Sequence, residues 1–221
     1  MNILLLEDDF DYKISIKEYL IESLNYDVDD FEDGEDALCA IYEKTYHLLI
    51  LDIKVPTLNG YELVKRLKED GKNIPVIFIT SLTDINNLSM GYELGCNDYI
   101  KKPFSPKELK YRIEQVIKSV YFSPNKDFVE LTERFSYNTT TMELFRNDDL
   151  VNLTKKEQQV IFCLLCHNNQ FVCMETLREE VWDNKYINEA DIRVCIKNIR
   201  AKTSKDFILN QRGIGYKIVR S

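Results

Sequence analysis

Glu7 and Asp8 follow the apolar run Ile3 to Leu6, Asp52 ends the run His47-Leu48-Leu49-Ile50-Leu51, Thr80 ends Val76 to Ile79, and Lys102 precedes Pro103. Mg²⁺ takes hard oxygen ligands in near-octahedral geometry and usually keeps waters and a phosphate oxygen. Two carboxylates after the first run and one after the third supply the protein's share. With that charge in place, Asp52 is suited to attack a phosphoryl donor, because such transfer depends on positioning and on neutralising the equatorial oxygens. Lys102 would then pair with one phosphoryl oxygen and the Thr80 hydroxyl would donate to another. The residues predict a Mg²⁺-assisted phosphoacceptor centred on Asp52.

For these residues to meet, the runs that precede them must be strands of one sheet. The first half alternates short apolar runs (Ile3 to Leu6, Val28 to Phe31, Leu48 to Leu51, Val76 to Ile79, Tyr99-Ile100) with amphipathic stretches near Tyr12 to Leu24, Glu35 to Lys44, Tyr61 to Glu69, Asn86 to Leu94 and Pro106 to Val120. That is the pattern of βα units in a parallel sheet. Five repeats in about 120 residues predict an α/β doubly wound, flavodoxin-like domain, whose ligands bind beyond the carboxyl ends of the strands. The rule puts Glu7, Asp8, Asp52 and Thr80 on one rim.

Residues 121 to 127, Tyr-Phe-Ser-Pro-Asn-Lys-Asp, have no periodicity and contain a proline, and are expected as a linker. Beyond it, short β-like runs such as Met142 to Phe145 and Leu150 to Leu153 precede Thr154, which with Glu157 forms a capping-box signature for a helix over Lys155 to Cys166. Helices over Met174 to Trp182 and about Glu189 to Thr203 follow. Phe207-Ile208-Leu209, the turn Arg212-Gly213-Ile214-Gly215 and Tyr216 to Val219 read as a closing hairpin. Three helices closed by a hairpin predict an α+β winged helix-turn-helix domain over residues 128 to 221. Its third helix repeats Arg193, Lys197 and Arg200 at helical spacing beside Asn198 and Lys202, the arrangement a helix in a major groove needs. Arg212 in its glycine-bounded turn suits a narrow minor groove, and Arg200 and Lys202 suit phosphates.

Charge divides in the same place. Residues 1 to 124 hold 14 basic and 23 acidic residues, net −9, whereas residues 125 to 221 hold 15 and 14, net +1. Residues 193 to 221 hold eight basic residues and one acid, Asp206. An acidic regulator joined to a polyanion binder accounts for the asymmetry.

Residues 1 to 120 resemble the receiver domain of two-component response regulators, through Glu7 and Asp8, Asp52 in DIKVPTLNG, Thr80, Tyr99 in NDYI and Lys102 in KKPF. Residues 128 to 221 resemble the winged-helix effector domain of the OmpR/PhoB family, through LTKKEQQVIFCLL, LREEVW, IRVCIKNIRAK and QRGIGYKI. The resemblance implies that the carbonyl of Lys54 also ligates Mg²⁺ and that Thr80 and Tyr99 move together on phosphorylation. It also implies a four-stranded sheet before the three helices, a sensor histidine kinase as donor, binding of double-stranded DNA at promoter repeats as a homodimer, and RNA polymerase as a further partner. Asp98 and Arg112 match two dimer-contact positions of the family. Asn86 to Leu94 contains no lysine or arginine, so one usual charge pair is missing.

Lys54 departs from the family's usual apolar or neutral residue. It stands two positions after the acceptor, where phosphatases with an aspartyl-phosphate intermediate carry an acid/base carboxylate, which argues against an enzyme. With only His47 and His167 in the chain, a histidine-based hydrolytic site is also poorly supported. The rival reading is a DNA-binding regulator whose receiver-like half is a phosphorylation-independent or redox-controlled dimerisation module. The six cysteines lie mostly in apolar runs and are expected as reduced thiols. Cys163-Leu-Leu-Cys166-His167, with Cys173 nearby, invites a metal or redox role; small thiols three apart on an apolar helix are expected as core. No basic leader precedes Ile3 and no run reaches the roughly 18 apolar residues of a membrane span, so a cytoplasmic location is expected.

Overall fold

The computed structural model describes residues 1–24, 26–81, 95–122, 128–132, 134–182 and 187–219. The chain divides into two compact units, Met1–Val116 and Ile117–Ser221.

In the first unit five strands, β1 (Asn2–Leu6), β2 (Asp27–Phe31), β3 (Leu48–Asp52), β4 (Val76–Thr80) and β5 (Asp98–Lys101), pair in the order β2-β1-β3-β4-β5. All four pairings are parallel. This is the doubly wound order in which the strand order reverses between β1 and β3, and the crevice at that reversal is where ligands bind. Strands β1, β3 and β4 are buried along their whole length, as strands covered on both faces must be, which is why they read as unbroken apolar runs. Leu4, Leu6, Leu49, Leu51 and Phe78 form one core with Ala37, Ile41, Leu63 and Leu67. The intervening residues Ile3, Leu5, Ile50 and Ile77 are fully buried and, by strand alternation, point to the opposite face.

The helices are α1 (Phe10–Glu18), α2 (Gly34–Glu43), α3 (Gly60–Glu69) and α4 (Pro106–Tyr121). Helix α1 begins two residues before the expected Tyr12 because the Asp9 carboxylate caps it, accepting from the Tyr12 amide at 3.0 Å. It continues as a π-helical turn over Tyr19–Ser23. The helix expected over Asn86 to Leu94 lies outside the described residues.

In the second unit β6 (Phe128–Thr132), β7 (Phe135–Asn138), β8 (Glu143–Arg146) and β9 (Asp149–Leu150) form a four-stranded antiparallel sheet. Helices α5 (Lys155–Cys166), α6 (Met174–Trp182) and α7 (Glu189–Lys202) follow, then a hairpin of β10 (Leu209–Gln211) and β11 (Gly215–Lys217). The capping box at Thr154 and Glu157 is formed. Leu164, Leu177, Val181, Ile192, Ile196 and Ile199 supply buried faces for the three helices. The hairpin is shorter than expected: Phe207, Ile208 and Ile218 lie outside its paired register and are buried in the domain. Tyr216 pairs with Val172 ahead of α6, and Gly215 is required there: at φ +150° an added Cβ would lie 2.0 Å from the Val172 carbonyl oxygen.

Tyr121 and Phe122, expected to open the linker, are structured. Tyr121 ends α4 and stacks edge-on against Phe162, while Phe122 is buried against Tyr137 and Phe162, so aromatic burial extends order past the expected boundary. Residues 123–127 of the expected linker lie outside the described residues. Trp182, the chain's single tryptophan, ends α6 with the Lys156 ammonium 5.8 Å from its ring centroid.

Candidate functional site

The register of β1 on β3 sets Leu6 beside Leu51, so the residues that follow, Glu7 and Asp52, leave the sheet side by side. One ligand oxygen each from Glu7, Asp8 and Asp52 lies within 4.8 Å of the others. Asp8 is exposed, whereas Asp52 is 6% exposed and Glu7 fully buried. Asp9, third of the acidic triplet, is occupied as the α1 cap.

Asp52 is held from two sides. Its Oδ1 accepts from the Lys54 amide at 3.0 Å, and its Oδ2 accepts from the Lys102 ammonium at 2.5 Å. Helix α3 closes against this turn at Gly60, whose added Cβ would lie 2.6 Å from the Asp52 carbonyl oxygen, so no larger residue fits. Lys102 follows β5 at a cis peptide bond to Pro103 and also contacts Glu7 Oε2 at 2.5 Å. Its ammonium stands 4.9 Å from the ring centroid of Tyr12, whose hydroxyl accepts from the Phe104 amide. Tyr12 is a wall of the rim that sequence reasoning missed, because its approach to Lys102 depends on how α1 packs.

Burial opposes the charge on Lys102, but Asp52 and Glu7 outweigh it and hold the ammonium above its ordinary pKa. Burial likewise pushes the Glu7 carboxyl above the usual range, with Lys102 pulling the other way. Although Lys102 is in ion-pair contact with Glu7 Oε2, that oxygen receives no well-directed hydrogen bond. A buried carboxylate oxygen without a directed donor, grouped with two further carboxylates, fits a hard divalent cation, and the all-oxygen donor set suits Mg²⁺.

Thr80 is fully buried at the end of β4 and Tyr99 is 8% exposed on β5. The register pairs Phe78 with Tyr99 and Thr80 with Lys101, and the Tyr99 ring stacks edge-on with Phe78, which stacks with Tyr61. Burial, first, raises the Tyr99 phenol, with Tyr61 and Thr80 acting in the opposite direction.

Asp98 and Arg112 pair with each other inside the unit, the guanidinium donating to both carboxylate oxygens at 3.0 and 3.2 Å and to Glu108 Oε1 at 3.1 Å. In the second unit Arg193, Lys197, Asn198 and Arg212 are exposed, and Arg193 reaches Glu189 one turn earlier at 2.6 Å. Arg200 and Lys202 are half-buried. Arg200 donates to the Ile208 carbonyl at 2.6 and 3.2 Å, and Lys202 pairs with the buried Glu157 at 2.6 Å. The structure thus gives these two basic residues partners within the domain. Val194 and Ile214 add apolar surface on the exposed side of α7 and in the turn.

Residues 3–114 match the family model described as response regulator receiver domain, and residues 147–218 match that described as transcriptional regulatory protein, C terminal. The transcriptional regulatory protein CrdR of Helicobacter pylori is 33% identical over 97% of this chain and 96% of its own length. The transcriptional regulatory protein RprY of Bacteroides fragilis is 31% identical over 99% and 94%. Among solved structures, the receiver domain of the Francisella response regulator 1452 is similar, at 31% identity and a TM-score of 0.50, covering 53% of this chain and 97% of that one. Among the described residues no helix is long and apolar enough to cross a membrane. A receiver fold with acids at its topological switch, joined to a winged-helix unit and matched over nearly its full length by transcriptional regulators, makes the chain a member of the OmpR/PhoB family of response regulators, phosphorylation-dependent DNA-binding regulators of two-component systems.

Proposed function

We propose that Asp52 accepts the phosphoryl group of a sensor histidine kinase and that the modified chain, as a homodimer in the cytoplasm, binds promoter repeats and acts on RNA polymerase. The reading is carried by the buried ion-pair contacts of Lys102 with Asp52 and Glu7 at the switch of the sheet. In the transfer a carboxylate oxygen of Asp52 forms the new bond to phosphorus as the bond from phosphorus to the donor imidazole nitrogen breaks. The Lys54 amide fixes the carboxylate so that it need not be ordered during the reaction. Lys102, already protonated at the rim, pairs with one phosphoryl oxygen, and the Thr80 hydroxyl donates to another. Tyr99, packed beside Thr80 on the neighbouring strand, follows that change into the β5 and α4 surface where Asp98 and Arg112 lie.

Glu7, Asp8, Asp52 and the Lys54 carbonyl are the residues that would hold Mg²⁺, which when bound neutralises the oxygens of the transferring group. On the DNA side, Lys197 and Asn198 present the exposed recognition face with Arg193, and Arg212 presents the wing. Arg200 and Lys202 take a positioning part, and they contact phosphates only by leaving Ile208 and Glu157.

Incubation with acetyl phosphate and Mg²⁺, followed by peptide mass spectrometry, tests the acceptor. One phosphoryl group is expected on the peptide containing Asp52 and none in Asp52→Asn. A label elsewhere, or no label, overturns the assignment.

A further inference from the structure

The second unit holds a cluster that phosphoryl signalling does not use. Cys163 lies in the last turn of α5 and His167 is that helix's C-cap four residues on, and Glu180 on α6 meets both. Cys163 Sγ donates to Glu180 Oε2 at 3.2 Å, and His167 Nε2 lies 3.0 Å from Glu180 Oε1. The three ligand atoms all lie within 4.8 Å of one another.

From these distances and donors we propose that Cys163, His167 and Glu180 form a binding site for one divalent transition-metal ion, with Zn²⁺ the best-matched ion. A thiolate, an imidazole and a carboxylate make a mixed set of borderline and hard donors, which Zn²⁺ accepts and Mg²⁺ and Ca²⁺ do not favour. Zn–S of about 2.3 Å with Zn–N and Zn–O of about 2.0 to 2.2 Å gives tetrahedral edges of about 3.4 to 3.6 Å. The contacts of 3.2 and 3.0 Å, made to the two different oxygens of Glu180, lie a few tenths of an ångström below those edges, and the Cys163–His167 edge lies within 4.8 Å. The Glu180 carboxylate already meets both other ligands, Oε2 at Cys163 and Oε1 at His167. Access is from the side of His167, whose side chain is 33% exposed, while Cys163 closes the inner side at 1%. That leaves the fourth position for water. Binding replaces the proton on the Cys163 thiol, which is released to solvent, and exchanges two hydrogen bonds for three coordinate bonds.

The consequence is a tie between α5 and α6, the two helices against which the recognition helix α7 packs. Simple core packing explains Cys163, which is small and buried. It does not explain a carboxylate and an imidazole turned inward onto that thiol, an arrangement that an apolar pair would fill at lower desolvation cost.

The test uses the full-length reduced protein, stripped with chelator, held in excess Mg²⁺ and titrated with Co²⁺. A thiolate-to-cobalt charge-transfer band saturating at one equivalent, and displaced by Zn²⁺, is expected. The all-oxygen receiver site cannot produce that band. In His167→Gln and Glu180→Gln the Co²⁺ concentration at half-saturation should rise at least about tenfold; in Cys163→Ser the band should vanish. Because replacing a buried thiol risks unfolding, the two partly exposed positions decide the outcome, with circular dichroism confirming that each variant is folded. Absence of the band, its persistence unchanged in folded His167→Gln and Glu180→Gln, or its loss in Cys39→Ser, where the thiol is exposed on the first unit, overturns the site.

Discussion

At the scale of single residues, the acceptor and its neighbour divide their work between side chain and main chain. The amide of Lys54 orients Asp52, while the Lys54 side chain stands exposed at the rim. An ammonium at about 6 Å from a divalent cation in a water-like dielectric costs about 1.4 kcal/mol, a factor of about ten in affinity. Lys54→Met should therefore lower the Mg²⁺ concentration that half-saturates acetyl phosphate labelling by up to about tenfold, and autodephosphorylation followed in parallel should change with it. Equal rates and equal Mg²⁺ dependence would remove any role for the charge. Tyr12 belongs to the same scale: its ring backs Lys102 and its hydroxyl anchors Phe104, so one aromatic residue links the first helix to the segment after β5.

At the scale of elements, helix α7 is held at its C-terminal end by the rest of its own domain. Arg146 on β8 donates to the carbonyls of Lys202 and Thr203, each at 2.5 Å, placing a cation where unpaired helix carbonyls gather. Lys202 in turn pairs with Glu157, which closes the α5 capping box. Burial raises the Glu157 carboxyl, but Lys202 and the Thr154 backbone outweigh burial and hold it below its ordinary value of 4.5. A carboxyl with a lowered folded value binds fewer protons folded than unfolded. Its stabilisation is complete above pH 4.5 and is lost as pH falls through the folded value. Chemical unfolding should show this acid loss in wild type and lack that component in Glu157→Gln. Thr154→Ala should cost about 1 kcal/mol at neutral pH through the lost cap. The helix limits were legible because caps and apolar periodicity are local. The partners of Arg200 and Lys202 were not, since basic residues at helical spacing look alike whether they face a phosphate or the carbonyl of Ile208. Glu180 was invisible for a related reason: it meets Cys163 only because α5 and α6 pack. Strand-end acids, by contrast, could be placed because the doubly wound topology sends carboxyl ends to one rim.

At the scale of the whole molecule, an acidic half is joined to a half whose basic residues differ in whether they are exposed, as Lys197 is, or committed to partners within the domain, as Arg200 is. Lys197→Ala should weaken binding to DNA of any sequence and reduce the slope of log affinity against log salt by about one, if it neutralises a phosphate. Arg200→Ala should instead lower the stability of the second unit with a smaller change in salt slope, because its guanidinium is committed to Ile208. Electrophoretic mobility shifts across a salt series, beside thermal unfolding, separate the two. A slope reduction in Arg200→Ala equal to that in Lys197→Ala would return Arg200 to the DNA contacts. The Asp98 and Arg112 pair, closed within one chain, has to exchange partners for either residue to bridge two copies.

Trp182 gives the molecule a reporter confined to one half. As the only indole in the chain, sitting two residues after Glu180 and beside the Lys156 ammonium, it is the sole source of tryptophan emission. That fluorescence follows the winged-helix unit and is silent about the receiver, whereas far-ultraviolet dichroism sums both. Coincident melts by the two probes would mean that the halves unfold as one cooperative body, and separated melts that each keeps its own stability, with no engineered label required.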